Sequence, residues 1–269
     1  MIRNITIGQY YAADSVIHRL DPRVKVTGTL LYIVSLFLFH NFWGYVVAVG
    51  CFFVVMVLSK VPFSYIVRGL KPIFFMLVFT AVLNLFWTPG TVFFRFGAIQ
   101  LTWEGLRKSV FMAFRLIFLV LGSSLMTLTT TPNQLTDALE KLLRPLRYLH
   151  VPVHEIAMMM SIALRFIPIL VEETDRIMKA QMARGADFES GSVLQRLRNM
   201  LPILVPLFVS AIRRANDLAL AMDARCYHGG DGRTKMHPLR YQGRDFAAYF
   251  ICIAYCVLLY SAVTYLPML

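Results

Sequence analysis

The sequence predicts an all-α integral membrane protein, with about five transmembrane helices plus cytoplasmic amphipathic helices. Three observations carry this. Hydrophobic residues make up 58% of the 269 and charged residues 16%, against roughly 45–50% and 25% in soluble domains, and mean hydropathy is +0.61. The apolar residues are gathered into separate runs, most near the ~20 residues that cross a bilayer. Of the 27 lysines and arginines, 16 fall between residues 132 and 245, which marks one large polar segment in an otherwise apolar chain.

The elements follow in order. Residues 1–131 hold an N-terminal segment and four spans. Asp21-Pro22 is a helix-start signal, an N-cap followed by the one helical position that tolerates proline. A span runs from about Val26 to Phe39, His40-Asn41 is a polar break, and a second span covers Phe42 to Leu58. Pro62 and Pro72, with Lys60, Arg68 and Lys71, separate it from a third, Pro72 to Trp87. Thr88-Pro89-Gly90 is a turn. Residues 92–103 alternate weakly and fit a short hairpin or an interfacial segment. A fourth span follows from about Gly105 to Leu128.

Residues 132–245 form the polar segment. Thr131-Pro132 caps a helix carrying Leu135, Leu139, Leu142 and Leu143 at three-and-four spacing, an amphipathic stripe. Two long helical patterns follow, about Val153 to Arg184 and about Ser192 to Arg225, with Pro168, Pro202 and Pro206 inside them. Residues 246–269 hold the final span. The excess of Lys and Arg places the N-terminus and residues 132–245 in the cytoplasm and the C-terminus outside. No cleaved signal peptide is expected, since no apolar stretch stands directly behind Arg3.

The net charge of +12 fits cytoplasmic loops of a membrane protein. Nucleic-acid binding is disfavoured, because the interleaved aromatics and lysines of a strand-binding groove are missing. Three of the four cysteines, Cys51, Cys252 and Cys256, lie in apolar spans, and no spacing suggests zinc or a disulfide framework. His150 and His154, beside Glu155, have the spacing of a helical metal pair. Pro152 stands between them, so a loop pair without metal is the better reading. Gly229-Gly230-Asp231-Gly232 follows a helix rather than a strand, which excludes a phosphate cradle. Arg115, well inside the fourth span, is either a functional residue or a structural contact within the bundle.

The most informative pattern occurs twice. Ala180-Gln181-Met182-Ala183-Arg184-Gly185 and Ala221-Met222-Asp223-Ala224-Arg225-Cys226 each end a long helical pattern with Ala-x-x-Ala-Arg. Small residues let another surface approach while the guanidinium reaches out in a fork that suits carboxylates. The competing reading is plain stabilisation of a helix C-terminus by a cation.

The chain resembles the transmembrane T component of energy-coupling factor transporters, a class of ATP-driven vitamin and metal importers. The resemblance rests on Gly8 to Lys25, Met126 to Leu146, Gln181 to Phe188 and Ala221 to Thr234, and covers nearly the whole chain. It implies that residues 132–245 are coupling helices. It also implies that Ala183-Arg184-Gly185 and Ala224-Arg225-Cys226 each contact one of two ATPase subunits. Cys226 replaces the glycine of the family motif, which puts the exit geometry of the second helix in doubt. A substrate-binding membrane partner, the S component, is implied as well. Its expected surface is the apolar, methionine-rich face of residues 135–143, 153–182 and 193–212, with Leu139, Met159, Met160 and Ala163 as its contacts. No catalytic residue, metal or cofactor is expected in this chain, ATP being bound by the partner subunits. The alternatives are a conventional permease, which requires polar residues lining several spans, and a membrane-embedded enzyme built on Arg115 and the His150/His154 region.

Overall fold

The computed structural model describes residues 10–39, 41–96, 99–188, 192–230, 236 and 238–265. His40, residues 189–191, Asp231 and Gly232, and the first residues of the N-terminal motif lie outside them. The chain forms nine helices among the described residues: α1 Pro22–Leu38, α2 Phe42–Ser59, α3 Phe63–Arg68, α4 Phe74–Trp87, α5 Trp103–Thr129, α6 Pro132–Leu142, α7 Val153–Ala183, α8 Val193–Asp223 and α9 Gly243–Tyr265. The only strands among these residues are an antiparallel hairpin, β1 Val92–Phe96 and β2 Ile99–Thr102. Two compact units result: a bundle of residues 10–138 and 239–265, and a second unit of residues 139–238.

Five helical stretches are long and apolar enough to cross a membrane: Phe42–Ser59, Phe63–Trp87, Trp103–Thr129, Val153–Ala183 and Gly243–Tyr265. This differs from expectation in two places. The first expected span folds as α1, whose 17 residues reach only about 26 Å at ~1.5 Å per residue. The Val153–Ala183 pattern, expected outside the membrane, qualifies because its charges are unevenly spread. Glu172, Glu173, Asp175, Arg176 and Lys179 all sit in its second half, which leaves the first half nearly as apolar as a span.

The local signals act as the sequence predicts. The Asp21 carboxylate accepts from the Arg23 amide at 2.9 Å and from the Arg23 guanidinium at 2.7 and 3.0 Å. At α6, the Thr131 hydroxyl accepts from the Gln134 amide while Gln134 Oε1 accepts from the Thr131 amide. This reciprocal box satisfies two donors that a helix start otherwise leaves unpaired.

The bundle core joins Tyr32 and Leu36 of α1, Tyr45, Ala48 and Phe52 of α2, Phe118, Leu121 and Leu125 of α5, and Tyr255 and Leu259 of α9. Gly122 lets α1 and α5 approach closely, since a Cβ there meets the Tyr32 ring. Ser35 Oγ donates to the Tyr32 carbonyl at 2.6 Å and shares a 2.8 Å hydrogen bond with Tyr255, so this buried hydroxyl is satisfied.

Arg115 is one of the bundle's structural contacts. Its Nε donates to the Tyr45 hydroxyl at 3.0 Å and its Nη2 to the Phe39 carbonyl at 3.2 Å. One guanidinium thereby caps the end of α1 and pins the start of α2. Sequence reading missed two further ties. Lys25 is buried, and its ammonium donates to the Thr129 carbonyl at 2.8 Å, capping α5. Asp245, 1% exposed, accepts from the Asp21 amide at 2.8 Å and the Gln242 amide at 2.7 Å.

The second unit is dominated by α7 and α8, each of 31 residues. They lie antiparallel. Ile162, Phe166 and Leu170 of α7 line one groove with Ala211, Ala215 and Leu218 of α8. Arg214 pairs with Glu173 at 3.1 Å. Both helices run past their internal prolines. Pro206 has no amide hydrogen for the Pro202 carbonyl, and Gln181 Nε2 donates to that carbonyl at 3.4 Å.

Candidate functional site

The two arginine motifs fold into the same helix end. At the first, the Gly185 amide donates to the Met182 carbonyl at 3.0 Å and the Ala186 amide to the Gln181 carbonyl at 3.0 Å. At the second, the Cys226 amide donates to Asp223 at 2.9 Å and the Tyr227 amide to Met222 at 3.1 Å. In each case a bond to the third residue back is followed by a bond to the fifth, the pattern of a helix closed by a left-handed residue. That residue is Gly185 with φ +88° in one case and Cys226 with φ +55° in the other. The doubt raised by cysteine in place of glycine is resolved: Cys226 takes the left-handed conformation, which costs a residue with a Cβ about 1–2 kcal/mol.

The tips are presented to solvent. Ala183, Arg184, Gly185, Ala224, Arg225 and Cys226 are all exposed, and neither guanidinium makes an ion pair among the described residues. Because α7 and α8 are antiparallel, the tips stand at opposite ends of the pair. Gln181 lies level with Pro202, while Met222 closes the groove beside Ile162. The 20 residues from 202 to 222 span about 30 Å of helix, and each arginine lies three residues beyond that span.

Between the tips, each long helix leaves an apolar face uncovered among the described residues. On α7 it comprises Ile156, Met159, Met160, Ala163 and Ile167; on α8, Leu201, Leu204, Val205, Phe208 and Ile212. Both sets follow the same offsets of three, four, seven and eleven residues, one helical stripe. Met159 is 58% exposed and Phe208 67%. Met159, Met160 and Ala163 therefore share one face. Leu139, on α6, is half-buried.

The two histidines do not form a pair. His150 ends a short 3-10 turn in the left-handed region at φ +59°. His154 lies in the first turn of α7, with Nδ1 3.0 Å from Glu140 Oε1. No cluster of three or more metal-ligating side chains occurs among the described residues.

Comparison with known proteins agrees with this architecture. The family model described as cobalt transport protein, CbiQ, matches residues 13–237. The "Energy-coupling factor transporter transmembrane protein EcfT" of Clostridium kluyveri is 56% identical over 250 residues, covering 92% of this chain and 93% of that one. The proteins of the same name from Thermosediminibacter oceani and Bacillus subtilis are 54% identical over 248 residues (92% of this chain, 94% of the relative) and 47% over 262 (97% and 98%). The chain belongs to the EcfT family. It is a multi-pass membrane protein and a transporter component, in keeping with the EcfT name of its relatives and with its long apolar helices.

Proposed function

We propose that this chain is a coupling subunit. It transmits the ATP-driven motion of two ATPase subunits to a substrate-binding S component, for uptake of a vitamin or other micronutrient. The observation that carries the reading is the pair of equivalent helix ends. They have the same hydrogen-bond pattern, the same left-handed closure and the same exposed arginine, more than about 30 Å apart along one helix pair. Two equivalent tips fit two equivalent partners. Arg184 and Arg225 each dock in an acid-lined groove of an ATPase, with Ala183 and Gly185, or Ala224 and Cys226, allowing the close approach. A cation that only stabilised its own helix end has no need of the small residues around it.

The apolar face between the tips takes the S component, with Met159, Met160 and Ala163 on α7 and Leu139 on α6 as contacts. Methionine is unbranched and adaptable, so one face suits several S components in exchange. The chain itself is not an enzyme and holds no cofactor; ATP is bound and hydrolysed by the ATPases. Residues 132–245 and the N-terminus lie in the cytoplasm and the C-terminus outside, in line with the distribution of Lys and Arg.

The test is the Arg184→Glu, Arg225→Glu double variant in the assembled transporter. ATPase recovery and uptake are expected to be lost, with milder losses in each single variant; normal uptake with intact ATPases refutes the coupling role. Met159→Asp is expected to reduce S-component recovery more than tenfold while ATPases are retained. Impermeant thiol reagents in a background containing only Cys226 are expected to label it from the cytoplasmic side alone.

A further inference from the structure

Two features of the sequence take no part in docking as described: the second histidine of the His150/His154 pair, and the glycines that follow Arg225. The fold brings them together. His154 Nδ1 meets Glu140 Oε1 of α6 at 3.0 Å, with the two side chains 34% and 16% exposed. The opposite edge of the ring faces Gly230. A Cβ added at Gly230 runs into His154 Cδ2, Cγ and Nε2. Nε2 itself is buried and has no hydrogen-bond partner among the described residues, so this edge serves as a packing surface.

The adjacent glycines are needed for different reasons. Gly229 has φ +101° and open space where a Cβ would stand. Gly230 lies outside the left-handed region, so its backbone accepts any residue, but the imidazole fills the space. The segment from Arg225 to Gly230 is therefore held twice. At one end Cys226 and Tyr227 close α8, and at the other Gly230 rests on His154. The first tip has its own tie, since Asn199 Nδ2 donates to the Asp187 carbonyl at 2.6 Å.

We propose that the Glu140–His154–Gly230 stack positions the loop carrying Arg225, and so sets the second ATPase-docking tip. This rests on the docking reading of Arg225, and the experiment separates the two. His154 is a positioning residue: it sits at the α6–α7 junction and acts on Arg225 through the five residues that follow it.

Replacing Cys51, Cys252 and Cys256 by alanine leaves Cys226 as the one thiol. A spin label there reports mobility at the tip in the purified full chain. Gly230→Ala is expected to mobilise the label when His154 is present and to add nothing in a His154→Ala background, since contacting residues are non-additive. In an Arg184→Glu transporter, where assembly depends on the second tip, Gly230→Ala is expected to lower ATPase recovery about tenfold. An unchanged label, or equal mobilisation with and without His154, overturns the stack. A mobilised label with unchanged ATPase recovery overturns its positioning role. ATPases retained by the Arg184→Glu, Arg225→Glu chain refute the docking reading itself, and positioning with it, whatever the label shows.

Discussion

The bundle and the second unit bury their apolar residues very differently. Of the twenty buried hydrophobic residues among those described, only Val153, Ala157 and Ile203 belong to residues 139–238. The rest lie in the bundle, where α1, α2, α5 and α9 close around Tyr32, Phe52, Leu121 and Leu259. The second unit contains two 31-residue helices whose leucines, methionines and isoleucines stand mostly uncovered. An apolar stripe left open among the described residues suits contact with another apolar surface, protein or lipid. The bundle closes a buried core among α1, α2, α5 and α9 and keeps further apolar residues on its outside, while α7 and α8 bury little between themselves.

The largest expected effect sharpens that contrast. Leu125→Ala in the bundle core removes packing from a site 5% exposed and is expected to cost about 2–5 kcal/mol. Phe208→Ala on α8 is expected to change the stability of the isolated chain by less than about 0.5 kcal/mol. Unfolding in detergent of the two purified variants measures both; similar losses break the distinction.

Arg115→Met comes next. It leaves the Tyr45 hydroxyl and the Phe39 carbonyl without their shared donor, at an expected cost of about 1–3 kcal/mol in the same assay. Cys226→Gly goes the other way. It relieves a left-handed residue that carries a Cβ, and is expected to stabilise the end of α8 by about 1 kcal/mol. Hydrogen exchange at the Tyr227 amide, which closes that helix, reads it directly. Slower exchange supports the equivalence of the two tips, and faster exchange refutes it.

The smallest effect lies at the bundle's N-terminal strap. His18 bonds to Ser15 and to the Tyr11 carbonyl, and the Tyr11 amide donates to Leu128 at 2.9 Å. Burial holds the His18 imidazole below its ordinary 6.5, with Lys25 adding to the effect, although the Tyr11 carbonyl pulls the other way. The unfolded strap then binds the proton more readily than the folded one. The contribution of His18 is present above pH 6.5 and lost as pH falls through the lowered folded value. Exchange of the Tyr11 amide is expected to rise modestly on acidification from pH 7 to 5, after correction for intrinsic rates, and His18→Gln is expected to abolish the rise.

Much of this molecule is legible residue by residue. Thr131 and Gln134 find each other because they are three apart at a helix start. The α8 end closes on Cys226 because its bonds reach back only three and five residues. The same locality let a repeated Ala-x-x-Ala-Arg be recognised as two helix ends. Composition alone does not separate two roles for the first half of α7, where apolar content fits a span and a partner-binding face equally well.

The sequence by itself determined the membrane class, the helix starts and stops, and the exposed arginine at each tip, since all of these follow from periodicity and from bonds within one turn. Only the tertiary structure decided which residues answer one another across the chain. No local pattern ties Lys25 to the Thr129 carbonyl of α5, or Asp245 to the Asp21 amide at the other end of the chain. Gly230 reads as a flexible turn until the His154 ring fills the place of its side chain. The placing of the two tips at opposite ends was also hidden, because it depends on α7 and α8 packing antiparallel. Such contacts join residues tens to hundreds of positions apart, and packing, which no local pattern records, selects them.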